Sequence, residues 1–161
     1  MPDRAQWTDS HCPTARAADI IGDRWSLLIV RDAFDGASRF SQFQRNLGIA
    51  KNILTERLKA LVEQGIFEVR SNAQGTRNEY VLTERGMDLF VVITSLRQWG
   101  ERHAFDDGEP HSTLIDDTTG DPVPGLRLVN ARKIDLNPTN THVEKVMDGS
   151  NMDSAHDPIR R

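Results

Sequence analysis

Apolar positions along the chain recur with a helical period, switch to alternation, become helical again and finally lose any period. Pro13 follows His11-Cys12 where a helix entry accepts it, because a first-turn N–H has no intrahelical partner. Ala15, Ala18, Ile20 and Ile21 come next, and Gly22 suits a stop. Asp23 is placed to cap a second helix that closes at Gly36. Trp25, Leu28, Ile29, Val30, Ala33 and Phe34 cover much of its surface, which predicts a central core helix. From Ser38, a good cap, to Leu47 the pattern predicts a shorter helix with one stripe, Phe40, Phe43 and Leu47. Gly48-Ile49-Ala50 reads as a tight turn carrying one apolar plug.

Lys51 to Gln64 reads as a strong amphipathic helix. Leu54, Leu58, Leu61 and Val62 form the face to be buried. Asn52, Thr55, Glu56, Lys59 and Glu63 lie opposite, with Lys51 and Arg57 on the flanks. Gly65 occupies the position after the helix that often turns left-handed. The period then changes to two over Ile66–Arg70 and again over Asn78–Leu82, around a polar loop at 71–77, so a hairpin is expected. Thr83 can cap a long helix through Leu89, Val92, Ile93, Leu96 and Trp99 to about His103.

Beyond Ala104 five prolines and four glycines punctuate the chain, with short strand material at Val123, Leu126, Leu128, Val129 and Ile134. The expected organisation is a flexible N-terminal arm at 1–10 and a core domain at 11–104. A small β-rich extension of unknown role follows at 105–146, and then a disordered tail at 147–161. The fold class is mainly α with a small β-hairpin (α+β). Helix, short helix, tight turn, amphipathic helix, hairpin, helix is the order of a winged helix-turn-helix.

Composition narrows the function. The chain has 161 residues, 37% hydrophobic and 27% charged, enough for one domain with its own core. No apolar run approaches the roughly 20 residues of a bilayer span, and the polar start carrying Asp3 and Asp9 is unlike a signal peptide. A cytoplasmic protein without membrane contact is expected. The single cysteine excludes an internal disulfide framework and a cysteine-built zinc finger. The five histidines show no metal spacing, and no nucleophile motif or glycine-rich phosphate loop occurs, so neither enzyme activity nor a cofactor is expected.

Net charge is −4, which by itself argues against nucleic acid. The charge is uneven, however. Residues 39–78 hold 7 basic and 3 acidic residues, net +4, inside an otherwise acidic chain. A phosphate backbone responds to that local field rather than to the total. A helix that buries one face and offers Lys51, Asn52, Thr55, Glu56, Arg57 and Lys59 on the rest suits the major groove, whose base edges carry a donor and acceptor code. Arg39 and Gln42 on the preceding helix, and Arg70, Asn72, Gln74, Thr76 and Arg77 around the hairpin loop, could reach the adjacent backbone or minor groove.

The ordered motifs carry a resemblance. Cys12-Pro13, Ile21-Gly22-Asp23-Arg24-Trp25-Ser26-Leu27-Leu28-Ile29, Arg39-Phe40, Gly48-Ile49-Ala50, Leu54-Thr55-Glu56-Arg57-Leu58, Tyr80-Val81-Leu82-Thr83-Glu84-Arg85-Gly86 and Trp99-Gly100 resemble the HxlR family of bacterial transcription regulators, within the MarR-like winged-helix group. The resemblance spans about residues 11–103. It implies a homodimer on double-stranded operator DNA, usually a repressor, paired through the N-terminal helix and the long helix after the hairpin. Ile20, Ile93, Leu96 and Trp99 fit that contact, although an ordinary core stripe would show the same residues. Cys12 aligns with a cysteine that some members use as a redox sensor, and a thiolate at a helix start is stabilised by the helix dipole. A small buried hydrophobe is the plain alternative. Two further readings stay open: a regulator answering a small-molecule effector in a pocket beside the long helix, and a winged helix used for protein contact without DNA.

Overall fold

The structure is a computed structural model and describes residues 7–71 and 78–146. Those residues form six helical segments and one hairpin: α1 (Pro13–Ile21), α2 (Arg24–Phe34), α3 (Phe40–Leu47), α4 (Lys51–Glu63), β1 (Phe67–Ser71), β2 (Asn78–Leu82), α5 (Glu84–Met87) and α6 (Phe90–His103). The chain divides into two compact units, one ending at Leu126 and one beginning at Arg127.

Most helix ends follow from their residues. The Asp23 carboxylate accepts from the backbone N–H groups of Trp25 and Ser26, satisfying two of the donors that α2 leaves unpaired at its start. Gly48 (φ +60) ends α3, and Gly65 (φ +69) follows α4. There Gly65 N–H bonds the Val62 carbonyl and Ile66 N–H the Leu61 carbonyl, both at 2.9 Å, the paired closure of a Schellman turn. Ahead of α1, the Thr8 N–H and hydroxyl donate to Asp19, which holds that carboxyl below its usual range.

Two ends differ from expectation. Ser38 does not cap α3. Arg39 is the N-cap, and Gln42 one turn in accepts from the N–H groups of Ser38 and Arg39 at 3.1 and 2.9 Å. A side-chain amide at that position reaches back as a capping-box residue does. The long helix after the hairpin is also broken, into the single turn α5 and then α6. Thr83 explains the start of α5: its Oγ1 accepts from Gly86 N–H at 3.1 Å and donates to the Gly65 carbonyl at 2.6 Å. Gly86 is held so close that a Cβ there would lie 2.3 Å from the Ile66 carbonyl oxygen. The first turn is thereby pinned to the start of β1, and the helix resumes only at Phe90, edge-on to Phe34 at 5.2 Å.

The core lies between α2, α3, α4 and the hairpin. Ile29, Val30, Phe43, Leu54, Leu58, Leu61 and Phe67 are under 2% exposed. Phe43 meets Phe67 and Tyr80 edge-to-face at 6.3 and 6.4 Å, so one aromatic fastens α3 to both strands. The strands pair antiparallel from Phe67↔Leu82 to Ser71↔Asn78. Tyr80 N–H also bonds the Ser38 carbonyl at 2.7 Å, tying β2 to the entry of α3.

Within the first unit, residues after α6 fold back on that helix. Buried Gln98 donates to the Pro124 carbonyl (3.0 Å) and accepts from Leu126 N–H (2.8 Å). In the second unit Arg127 grips Asp135 through two bonds, at 2.9 and 2.7 Å, which holds the carboxyl below its usual range. The β-rich extension expected at 105–146 is instead two isolated bridges, Ile115↔Pro122 and Val129↔Asp135. Asp116, Asn130 and Asn137 each accept from backbone N–H groups just downstream. Those local bonds turn the chain before a ladder can extend. The tail expected at 147–161 lies outside the described residues.

Candidate nucleic-acid interface

α3, the three-residue turn and α4 form the helix-turn-helix. Ile49, 4% exposed, is the plug that seats the turn on the core. Leu54, Leu58 and Leu61 on α4 are fully buried, at about 1.5–3 kcal/mol each. That burial sets the rotation of the helix and leaves Lys51, Asn52, Thr55, Glu56, Lys59 and Glu63 exposed on its other side. Thr55 Oγ1 donates to the Lys51 carbonyl at 2.8 Å, and Lys59 lies 3.7 Å from Glu63. Asn52 and Glu56 make no side-chain hydrogen bond among the described residues.

Arg57 sits apart from that group. It is half-buried, with Nε 3.4 Å from the same Asp23 oxygen that caps α2, so α4 is locked to α2 by charge as well as by leucines. Arg39 is likewise engaged, 3.3 Å from Glu79 on β2. Gln42 spends its carbonyl oxygen on the two N–H groups before α3. Arg70 on β1 pairs with Glu68, its neighbour on the same strand face. Asn72, Gln74, Thr76 and Arg77 lie outside the described residues.

The basic block is therefore less free than its net charge implies. Four of its basic residues, Arg39, Arg57, Lys59 and Arg70, face a carboxylate. Lys51 and Arg45 face none among the described residues. Arg45 is exposed on α3 and stands outside the set of contacts expected from sequence. The signal was there: it lies opposite the Phe40, Phe43 and Leu47 stripe with no acidic residue one turn away.

The residues expected at a dimer contact separate into two sets. Ile20 and Ile93 are half-buried against the core. Leu96 and Trp99 are 49% and 56% exposed and continue a stripe with Val92 on one side of α6. Trp99 packs beside His103, with ring centroids 5.2 Å apart. Cys12 is the N-cap of α1, half-buried, its Sγ accepting from Ala15 N–H at 3.4 Å. Among the described residues no three His, Cys, Asp or Glu side chains gather as metal ligands. No described helix is long and apolar enough to cross a membrane.

A buried-backed helix after a tight turn, followed at once by an antiparallel hairpin, defines a winged helix-turn-helix protein. Comparison with known proteins narrows this: the chain belongs to the HxlR-like helix-turn-helix family, whose profile matches residues 20–107. An uncharacterised HTH-type transcriptional regulator of Mycobacterium bovis is 49% identical over 89 residues, covering 55% of this chain and 56% of that protein. The match thus spans just over half the length of that relative. Among solved structures, the transcription factor PA1607 superposes with a TM-score of 0.82 at 43% identity, covering 88% of this chain and 97% of that one. The redox regulator HypR in its reduced form gives 0.54 at 30% identity, covering 58% and 94%.

Proposed function

We propose that this protein is a sequence-specific DNA-binding transcriptional regulator that acts as a homodimer, in the repressor sense, on a pseudo-palindromic operator. The observation that carries the reading is the exposed side of α4. Its back is fully committed to the core, while Lys51, Asn52, Thr55, Glu56 and Lys59 share one open surface. In the major groove Asn52, Thr55 and Glu56 would meet base edges, and Lys51 and Lys59 the phosphates. Arg45 and Arg70 would add phosphate contacts, and Asn72, Gln74, Thr76 and Arg77 of the segment between β1 and β2 remain part of the proposed contact set. Arg39, Gln42 and Arg57 take positioning roles, since each is already spent on holding α3 or α4. Pairing through Leu96 and Trp99, with Ile20 and Ile93 behind them, would set two α4 helices about 34 Å apart, one turn of DNA.

The test is a salt titration of the purified protein on the DNA upstream of its own gene, against a random duplex. Tight binding by two chains per site, falling steeply with salt and well above the control, is the expected result. Equal weak binding to both duplexes would overturn it in favour of a protein-contact role.

A second reading adds redox control through Cys12. It is favoured by the thiol's place at the head of α1 and by the likeness to HypR. Serine caps a helix well, so Cys12→Ser removes the thiol without removing the cap. Loss of the response to an oxidant such as diamide, with DNA affinity intact, is expected. An unchanged response sinks this reading.

A further inference from the structure

The basic block at 39–78 holds three acids, Glu56, Glu63 and Glu68, and two of them face a cation. Glu63 lies 3.7 Å from Lys59, and Glu68 pairs with Arg70. Glu56 is exposed and has neither a cation nor a side-chain hydrogen bond among the described residues. A carboxylate left alone on a surface suited to phosphates repels every duplex, whatever its sequence. Its place on α4 is also particular. Asn52, Glu56 and Glu63 lie furthest round the helix from Leu54, Leu58 and Leu61. Glu63 ends the helix, whereas Asn52 and Glu56 belong to its leading half, and the leading residues of such a helix are the ones that meet base edges.

The neighbouring residue sets what this point of the surface accepts. Thr55 gives its hydroxyl hydrogen to the Lys51 carbonyl at 2.8 Å, so its Oγ1 has only lone pairs left for anything outside. A glutamate carboxylate is acceptor-only as well. Thr55 and Glu56 therefore offer acceptors and no donor, and what they meet in a major groove must carry an N–H. Only two base groups there do so, N4 of cytosine and N6 of adenine. The adenine amino group lies between two acceptors, its own N7 and O4 of the paired thymine, and both repel a carboxylate. The cytosine amino group has an acceptor on one side only, O6 of the paired guanine, and a C–H on the other.

We propose that Glu56 fixes a cytosine at one position of each operator half-site, by accepting from its N4 amino group. The assignment rests on the DNA reading above and deepens it. An anion that weakens binding everywhere except over one base produces specificity as a difference between sequences.

The experiment selects bound sequences from a pool of randomised duplexes with the full chain and with Glu56→Gln, then measures affinities for the selected duplexes by fluorescence anisotropy. The wild-type selection is expected to contain a cytosine in each half-site whose replacement by thymine weakens binding roughly ten-fold. Glu56→Gln keeps the size of the side chain and adds an amide donor. It should reduce that penalty to about two-fold or less and admit adenine, which an amide side chain reads through N6 and N7. The other selected positions should stay the same. The variant should also bind a random duplex more tightly than wild type, because one anion has left the surface. Glu63→Gln removes the same charge from the far end of α4 and should leave the selected sequence as in wild type. Both glutamates are exposed, so both variants should melt where the wild type does.

An unchanged cytosine preference in Glu56→Gln overturns the proposal, and returns Glu56 to the solvated face if affinity rises equally on all duplexes. The same shift of preference in Glu63→Gln also overturns it, by assigning the effect to the overall charge of α4. Failure of the underlying DNA reading looks different: the wild-type selection would contain no enriched sequence at all, and the assignment would fall with it.

Discussion

α4 and α6 are similar in length and obey opposite rules. α4 buries Leu54, Leu58 and Leu61 and exposes only polar side chains outside them. α6 buries Thr94 and Gln98 and exposes Phe90, Val91, Val92, Leu96 and Trp99. The protomer alone explains the first sequence completely. It does not explain the second, because exposed apolar stripes of this kind mark interaction surfaces. Gln98 shows how α6 tolerates its inversion. Its amide is buried because it replaces a strand partner for Pro124 and Leu126, so both polar ends are satisfied.

The contrast can be broken from either side. The largest effect belongs to the α4 core: Leu58→Ala leaves a cavity beneath a fully buried side chain and should cost about 2–5 kcal/mol, read by urea unfolding. The double substitution Leu96→Ser with Trp99→Ser should leave the protomer folded. It should abolish self-association in light scattering and weaken binding to a palindromic site by roughly 100-fold, the loss of linked engagement. A protein that stays dimeric after both changes would show that the stripe serves something else. Gln98→Ala removes the bonds to the Pro124 carbonyl and the Leu126 N–H, which belong to exposed residues that water can reach, and should cost about 0.5–1.5 kcal/mol, with faster amide exchange at Leu126 and little change in DNA affinity. The smallest effect on stability is that of Lys51→Ala, within about 0.5 kcal/mol. The same substitution should lower the salt slope of DNA binding by roughly one.

The helical and alternating periods made α1 to α4 and the hairpin legible in the sequence, because each of these elements buries one face against a neighbour within the same unit. Two features were hidden for a shared physical reason: they depend on contacts distant in the chain. The break between α5 and α6 comes from Thr83 and Gly86 pressing on carbonyls 17 to 20 residues earlier, which no local pattern reports. The engagement of Arg39 and Arg57 depends on Glu79 and Asp23, residues 40 and 34 positions away, so helical phase alone counted both as free cations on the surface proposed for DNA. Residues 105–146 misled because their apolar content suits strands, while Asp and Asn bonds to the backbone turn the chain first.

The junction where the ends of α4 and β2 meet has a consequence for descent. Thr83 holds the Gly65 and Ile66 carbonyls, and Gly86 rests on the second of them, so residues 51–86 are closed at one clasp. Everything that would choose a DNA sequence lies inside that closure, and the surface fit for pairing lies outside it. On the proposed reading such a segment would behave as a cartridge: its outward residues could drift to a new target while a pairing handle on α6 stayed unaltered. A lineage built this way can diversify what it reads without relearning how to assemble.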